Sequence, residues 1–142
     1  MKHLLLILAI STIIASCGKE APGLTVDEYI TANNLITTEL AEGVHIVIHS
    51  PGVGFKPNIN SNIVIAYEGR LTSGSVFDSS ESYNNTLSGL IRGWQIGMPE
   101  IAIGGSCTLI IPASAGYGSQ PTSSIPANST LIFDIDLLDI IL

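Results

Sequence analysis

The 142-residue sequence predicts an α+β fold in which a mostly antiparallel β-sheet wraps around one short α-helix, with a further short helix near the N-terminus. Strands are indicated by four segments whose apolar residues alternate or cluster: 43–50, 62–71, 106–111 and 130–142. The segment 88–98 can hold the helix that packs across the sheet. The segments 79–89 and 113–128 are rich in Ser, Asn, Gly and Pro, which is typical of surface loops.

The N-terminal part of the predicted domain contains a short helix and an edge strand. Thr25 and Glu28 have the spacing of a helix-capping box, so we expect a helix at about 26–33 that ends at Asn33-Asn34. Residues 35–40 can form the edge strand.

Three further strands are predicted before the central helix from local pattern alone. The segment 43–50 alternates, with Val44, Ile46 and Ile48 on one face and His45, Val47 and His49 on the other. Residues 62–71 form a long apolar-rich strand, and 75–77 form a short one.

The first residues have the pattern of a targeting segment. A basic head is followed by the apolar stretch Leu4 to Ala15 and then by Ser16-Cys17, and Ile14-Ala15-Ser16-Cys17 resembles a bacterial lipobox. We therefore predict a lipoprotein signal peptide at 1–16, a lipidated Cys17 with a spacer at 17–24, an N-terminal helix and edge segment at 25–43, and a main domain at 44–142. An ordinary cleaved secretory peptide with a chance cysteine is the alternative.

A lipid on Cys17 would tether the protein to a membrane. A diacylglycerol thioether together with an amide-linked acyl chain such as palmitate holds a protein far more durably than one chain does. Gly18 after the cysteine is compatible with outer-membrane sorting, so the expected location is the bacterial cell envelope, facing the periplasm or the cell surface.

The charge of the chain disfavours nucleic acid as a partner. The formal charge is −7, and removal of residues 1–16 leaves four basic residues against all twelve acids, a charge of −8. No basic cluster is present to neutralise phosphates or anionic headgroups, so membrane contact is expected through the N-terminal lipid alone.

Cysteine and histidine usage indicates neither a disulfide nor a metal site. With Cys17 lipidated, Cys107 has no partner, and its parity with Leu109 and Ile111 indicates a small buried core residue rather than a reactive thiol. His45 and His49 share a strand face on which two imidazoles can bind a metal. Without a third ligand, we interpret them as solvated surface side chains.

Five short motifs occur in a recognisable order: Tyr67-Glu68-Gly69, Phe77-Asp78-Ser79-Ser80, Leu90-Ile91-Arg92-Gly93-Trp94, Tyr117-Gly118 and Leu131-Ile132-Phe133-Asp134. In this order and approximate spacing they resemble the FKBP-type (macrolide-binding immunophilin) peptidyl-prolyl cis-trans isomerases, in a bacterial lipoprotein form. The resemblance covers roughly Val44 to Leu142.

The resemblance implies an FKBP-like fold and a catalytic pocket without cofactor or metal, which acts non-covalently on proline-containing polypeptides and binds macrolide inhibitors. Trp94 would form its floor, with Tyr67, Phe77 and Phe133 as walls. The backbone N–H of Ile91 and the phenol of Tyr117 would bind substrate carbonyls, and Asp78 would hydrogen-bond Tyr67 at the pocket edge. Further substrate contacts are implied for Leu87, Leu90 and Ile125.

The sequence departs from the family pattern at the rim of this pocket. The segment 82–89 lacks the Phe that usually supplies another wall, and the two candidates to replace it are Tyr83 and Leu87. The segment 119–124 is polar and slightly short, Ala127 replaces a common Pro, and Gly116 replaces a common Ala.

Other functions remain open on the sequence alone. Each aromatic residue taken singly is compatible with a plain core position. The weakened rim favours a binding module or chaperone that recognises apolar or proline-containing segments with little turnover, and a purely structural envelope lipoprotein is the third alternative.

Overall fold

The computed structural model describes residues 23–141, which form a six-stranded antiparallel sheet and two short α-helices. The helices are α1 (Val26–Ala32) and α2 (Arg92–Gly97); the strands are β1 (Thr38–Glu39), β2 (His45–Ser50), β3 (Asn62–Leu71), β4 (Val76–Thr86), β5 (Ser106–Ile111) and β6 (Leu131–Ile141). The strand order is β1-β2-β5-β6-β3-β4. The α+β prediction is thus confirmed, whereas the predicted signal peptide, Cys17 and most of the spacer lie outside the described residues.

Helix α1 begins with the predicted capping box. The Thr25 hydroxyl accepts a hydrogen bond from the Glu28 backbone N–H at 3.3 Å, and the Glu28 carboxylate accepts one from the Thr25 N–H at 2.8 Å. The helix ends at the C-cap Asn33, as expected. None of its seven residues is buried, so the hydrogen bonds of the caps contribute much of the stability of this helix.

Strand β4 corrects the sequence prediction. We expected a strand only at 75–77 and a surface loop at 79–89, but the strand continues to Thr86. Its polar residues have weak strand propensity, yet they pair with β3 along the edge of the sheet, where one face meets solvent. Backbone pairing with the apolar strand β3 therefore makes this segment a strand.

The first two strands are shorter or more exposed than predicted. The expected edge strand at 35–40 is reduced to Thr38–Glu39. Val44 and Ile46 are buried, as their alternation indicates, but Ile48 is 45% exposed. The register between β2 and β5 shifts between Ile48 and Ser50, so the alternation does not continue to the end of the strand.

Helix α2 is shorter than the predicted 88–98 and is flanked by two 3₁₀ turns, Leu87–Gly89 and Met98–Glu100. A six-residue helix is not stable alone, so packing must hold it. A Cβ on Gly93 would lie 2.5 Å from Ile111, and one on Gly97 would lie 2.4 Å from Leu109. The two glycines therefore let α2 approach β5 closely, and this approach fixes Trp94 in the core.

The core lies between α2 and the concave face of the sheet. Its fully buried side chains come mainly from β3, β5 and β6. Cys107 belongs to it at 1% exposure, which confirms the prediction of a core residue. Across 23–141, no helix has both the length and the apolar character that crossing a membrane requires.

Candidate active site

A cavity of about 380 Å³ opens at one end of the concave face. The size falls within the range of small-molecule sites. Nine of the ten residues predicted for the pocket line it: Tyr67, Phe77, Asp78, Leu90, Ile91, Trp94, Tyr117, Ile125 and Phe133. They come from β3, β4, β6, the start of α2 and the loop 112–130.

Edge-to-face aromatic packing builds the cavity. The indole of Trp94 lies 5.1 Å from the Tyr67 ring and 5.0 Å from the Phe133 ring, nearly perpendicular to both. Phe77 packs edge-on against Phe133 at 5.5 Å. These arrangements are favourable for aromatic pairs, and each ring restricts its neighbour. The result is a rigid apolar surface around Trp94, which is itself only 4% exposed.

Tyr67 and Asp78 form the predicted hydrogen bond. The Tyr67 phenol donates to the Asp78 carboxylate at 2.7 Å, across neighbouring strands β3 and β4. Burial, followed by this hydrogen bond and the negative charge of Asp78, raises the pKa of Tyr67. A tyrosine is protonated at neutral pH even with its ordinary pKa, so the Tyr67 phenol is a donor there and keeps the carboxylate at the cavity edge.

The residue that caps α2 lines the cavity and has a backbone donor with no partner within 23–141. Ile91 is the N-cap residue, and its backbone N–H donates no hydrogen bond to any residue within 23–141. The side chain of Gln95 donates to the carbonyl oxygens of Leu90 at 2.8 Å and Ser88 at 3.2 Å. Gln95 thereby fixes the chain that carries Ile91, a role that the sequence did not predict because Gln95 lies outside the recognised motif.

Tyr117 stands over the cavity from a loop with defined backbone contacts. The Gly118 N–H donates to the Ala113 carbonyl at 2.8 Å, and the Asn128 N–H donates to the Gly118 carbonyl at 2.8 Å. The Tyr117 side chain remains 42% exposed. Partial burial, and then the negative charge of Asp78, raises its pKa further above neutral, and its phenol is a hydrogen-bond donor at neutral pH.

Tyr83, and not Leu87, supplies the additional wall. Tyr83 lines the cavity, and its ring packs edge-on against Tyr67 at 5.9 Å. Leu87 has 0% exposure and does not line the cavity, which corrects its predicted substrate contact. Leu87 opens the 3₁₀ turn that follows β4, and this turn directs it into the core.

A β-bulge explains why Tyr83 reaches the concave face. Ser80 pairs with Tyr67, but Tyr83 rather than Ser82 pairs with Ile65. Because side chains alternate between faces, a regular ladder would place Tyr83 on the outer face. The extra residue in β4 thus turns Tyr83 inward, where its hydroxyl accepts a hydrogen bond from Asn85 at 2.9 Å.

The rim is polar and carries one charge. Thr122 and Ser124 line the cavity from the polar loop segment 119–124. Asp78 is the only charged residue in the lining. The site therefore combines an apolar base with hydrogen-bond donors at its edge, which suits a polypeptide with one apolar ring and several backbone carbonyls.

The remaining predicted side chains lie outside the cavity. His45 and His49 hydrogen-bond the hydroxyls of Thr37 and Thr108 at 2.9 and 2.8 Å, so they are less free than expected. In the described part of the chain, no three side chains are grouped as metal ligands. Burial raises the pKa of the Cys107 thiol to about 12, which makes it a poor nucleophile.

Comparisons with known proteins point to one family. Residues 54–138 match the family described as FKBP-type peptidyl-prolyl cis-trans isomerase. The FKBP-type peptidyl-prolyl cis-trans isomerase FkpA of Escherichia coli K12 is 35% identical over 129 residues, which cover 88% of this chain and 47% of that protein. FkpA of Buchnera aphidicola subsp. Schizaphis graminum is 48% identical over 85 residues, or 57% of this chain and 34% of that protein.

Solved structures give the same result. The crystal structure of E. coli FkpA superposes with a TM-score of 0.76 at 33% identity, covering 81% of this chain and 57% of that one. A peptidyl-prolyl cis-trans isomerase from Pseudomonas syringae pv. tomato gives a TM-score of 0.74 at 27% identity, covering 88% of this chain and all of that one. This chain spans less than half the length of the two curated FkpA proteins.

Proposed function

Because this chain belongs to the FKBP-type peptidyl-prolyl cis-trans isomerase family, we propose that it catalyses rotation about X-Pro bonds in polypeptides. The observation that carries the proposal is the aromatic cavity around Trp94, together with free hydrogen-bond donors at its edge. The prolyl ring would lie against the indole, and the preceding carbonyl would lie at the rim.

The reaction makes few chemical demands on the protein. Resonance in the amide sets a rotational barrier of roughly 18–20 kcal/mol, and uncatalysed X-Pro isomerisation takes tens to hundreds of seconds. The twisted amide has less charge separation than the planar one. A water-poor apolar cavity therefore destabilises the planar form relative to the twisted form. Lowering the barrier by about 5 kcal/mol accelerates rotation roughly 10³- to 10⁴-fold.

The donors at the edge hold the peptide while the bond turns. The N–H of Ile91, which has no partner within 23–141, and the phenol of Tyr117 are both available to substrate carbonyls. If they fix the chain on one side of the proline, the ring can rotate without the peptide leaving. Asp78 acts through Tyr67, whose ring it orients, and needs no role as a general base because no proton is transferred.

An isomerisation assay tests the proposal. A short X-Pro peptide should be turned over by the full chain, and a macrolide that occupies the cavity should inhibit turnover. Trp94→Leu and Tyr117→Phe should each reduce kcat/KM by at least about tenfold, since the first removes the aromatic floor of the cavity and the second removes a hydrogen-bond donor. Phe55→Ser, at an exposed residue outside the cavity, is the matched control and should retain full activity.

The polar rim supports a second candidate, a binding module or chaperone with little turnover. Thr122 and Ser124 offer less apolar contact to a substrate than branched side chains do. This candidate requires that peptides bind and that aggregation of an unfolded protein is suppressed, while isomerisation stays at the uncatalysed rate. Measuring binding and turnover on the same peptide separates the two functions.

We further propose that the protein is a bacterial envelope lipoprotein whose clients are exported or envelope proteins. The support is the sequence of residues 1–17, in which an apolar stretch of 12 residues precedes Ser16-Cys17. Mass spectrometry of the N-terminal peptide should find an acylated Cys17. In a detergent phase-separation assay, Cys17→Ser should move the protein from the detergent phase to the aqueous phase. Cys107→Ala is the matched control and should remain in that phase. An unmodified Cys17, or a mature chain that begins elsewhere, contradicts the lipid anchor.

A further inference from the structure

A second groove adjoins the catalytic cavity. It has a volume of about 630 Å³ and lies between the β3–β4 turn, which contributes Thr72, Ser73 and Ser75, and the loop segment 122–126. We call it the hydroxyl groove, because eight of its thirteen lining residues carry a hydroxyl: Thr72, Ser73, Ser75, Thr122, Ser123, Ser124, Ser129 and Thr130.

The hydroxyl groove is continuous with the proposed catalytic cavity. Thr122, Ser124 and Ile125 line both spaces. A polypeptide whose proline lies against Trp94 must leave the cavity across its rim, and this shared wall leads directly into the groove. We propose that the hydroxyl groove binds the uncharged polar segment that flanks the proline on one side. This inference rests on the proposed isomerase function and extends it to the choice of substrate.

The hydrogen bonds of the groove favour peptide backbone as the ligand. The Thr72 hydroxyl accepts from the Leu24 N–H at 3.0 Å, and the Thr122 hydroxyl accepts from the Ile125 N–H at 3.0 Å. A hydroxyl that acts as an acceptor keeps its own O–H donor. Within 23–141, neither O–H has a protein acceptor, so the two sides of the groove both offer donors to substrate carbonyls.

The uncharged lining of the hydroxyl groove selects against ionised side chains. None of the thirteen lining residues is charged, and Ile125, Ser129 and Thr130 are at most 8% exposed. An ionised side chain placed there would lose water without gaining an opposite charge. Ser, Thr, Gln and Gly segments, in contrast, can exchange hydrogen bonds with the lining and pay little for desolvation.

Varying the length of the peptide distinguishes binding in the hydroxyl groove from binding in the cavity. We would compare an X-Pro tetrapeptide with the same peptide extended by four Ser, Gln or Gly residues at either end. Contacts remote from the rotating bond are made equally in the ground and transition states, so they lower KM and leave kcat unchanged. Extension at one end should lower KM about three- to tenfold, the effect of one or two net hydrogen bonds. Extension by four Glu or four Lys should give no gain.

Two substitutions block the groove from opposite sides. Ser73→Trp and Ser123→Trp each place a large ring in the groove at exposed positions that do not line the catalytic cavity. Both should abolish the gain from extension while leaving tetrapeptide kcat/KM unchanged. Asn60→Trp, an exposed residue outside the groove, is the control and should keep the gain.

The outcomes of the two proposals are distinct. If the tetrapeptide is isomerised but neither extension lowers KM, or if the gain persists in both tryptophan variants, the groove proposal is wrong and the isomerase proposal stands. If the tetrapeptide is not isomerised, the isomerase proposal fails. Calorimetric titration with the extended and short peptides then still decides whether the groove adds affinity.

Discussion

Replacement of Gly69 by alanine tests how the aromatic cavity is built. Gly69 lies on β3, opposite Asp78 of β4 and Phe133 of β6. A Cβ at this position would lie 2.6 Å from Cε1 of Phe133 and 2.7 Å from Cε2 of Phe77. Since non-bonded carbons prefer about 3.5–4.0 Å, both rings must move by about 1 Å.

The displaced rings have little room, so both stability and activity should fall. Phe133 packs against Trp94 at 5.0 Å and cannot move toward it without disturbing the base of the cavity. Overpacking of this kind costs about 1–3 kcal/mol, and we expect a Tm lower by roughly 4 °C per kcal/mol for a domain of this size. Because the cavity itself is distorted, kcat/KM should fall at least about tenfold.

The measurement combines urea unfolding with the isomerisation assay, and Gly89→Ala serves as the matched control. A Cβ on Gly89 meets its nearest neighbour, Asn85, at 3.4 Å, so its effect should stay within about 0.5 kcal/mol. Phe133→Leu removes the clashing ring atom. It should therefore cost less in the Gly69→Ala background than in the wild type, which a double-mutant cycle measures. A Gly69→Ala protein with wild-type stability and activity would refute the account of how Gly69 positions these rings.

Three further predictions concern single side chains. Tyr67→Phe should change the unfolding free energy by no more than about 1 kcal/mol, because the lost hydrogen bond is made to the exposed Asp78. It should nevertheless lower kcat/KM several-fold. Unchanged kinetics would contradict the role of this hydrogen bond in orienting the Tyr67 ring. Burial alone would raise the pKa of Asp134, but hydrogen bonds from Arg70 and Thr108 lower it overall, so its contribution to stability is present above its ordinary pKa and is lost as the pH falls from about 5 to 3. Urea unfolding should show a loss under about 1 kcal/mol for this half-exposed pair, and Asp134→Asn should not show it. A thiol reagent at pH 8 should modify Cys107 only after unfolding, as peptide mass spectrometry can follow, and rapid labelling of the native protein would contradict its burial.

The long strands and the aromatic residues of the cavity could be predicted, because both are indicated by short patterns along the chain. Strand β3 covers 62–71 and β5 covers 106–111, as their apolar content indicates. The capping box of α1 likewise depends on residues only three apart. The aromatic motifs predicted which residues would share one cavity, and nine of the ten do.

The boundary of β4 and the positions of Tyr83 and Leu87 could not be predicted in the same way. The segment 79–86 is polar enough to be a loop, and it becomes a strand only because β3 offers a pairing partner. One extra residue in this strand reverses which face Tyr83 occupies, and a bulge has no signature in the sequence at this position. The turn after the strand then buries Leu87.

The sequence by itself determined the fold class, the family and the aromatic residues of the cavity, because strand period, cap spacing and motif order are properties of neighbours along the chain. Only the tertiary structure decided how closely α2 lies on β5, whether Tyr83 or Leu87 completes the wall and where the hydroxyl groove lies. These features depend on contacts between segments far apart in the chain, such as Gly93 with Ile111 and the turn at 71–76 with the loop at 122–126. No local pattern encodes such distances, since they follow from side-chain volumes and strand register after the sheet has formed.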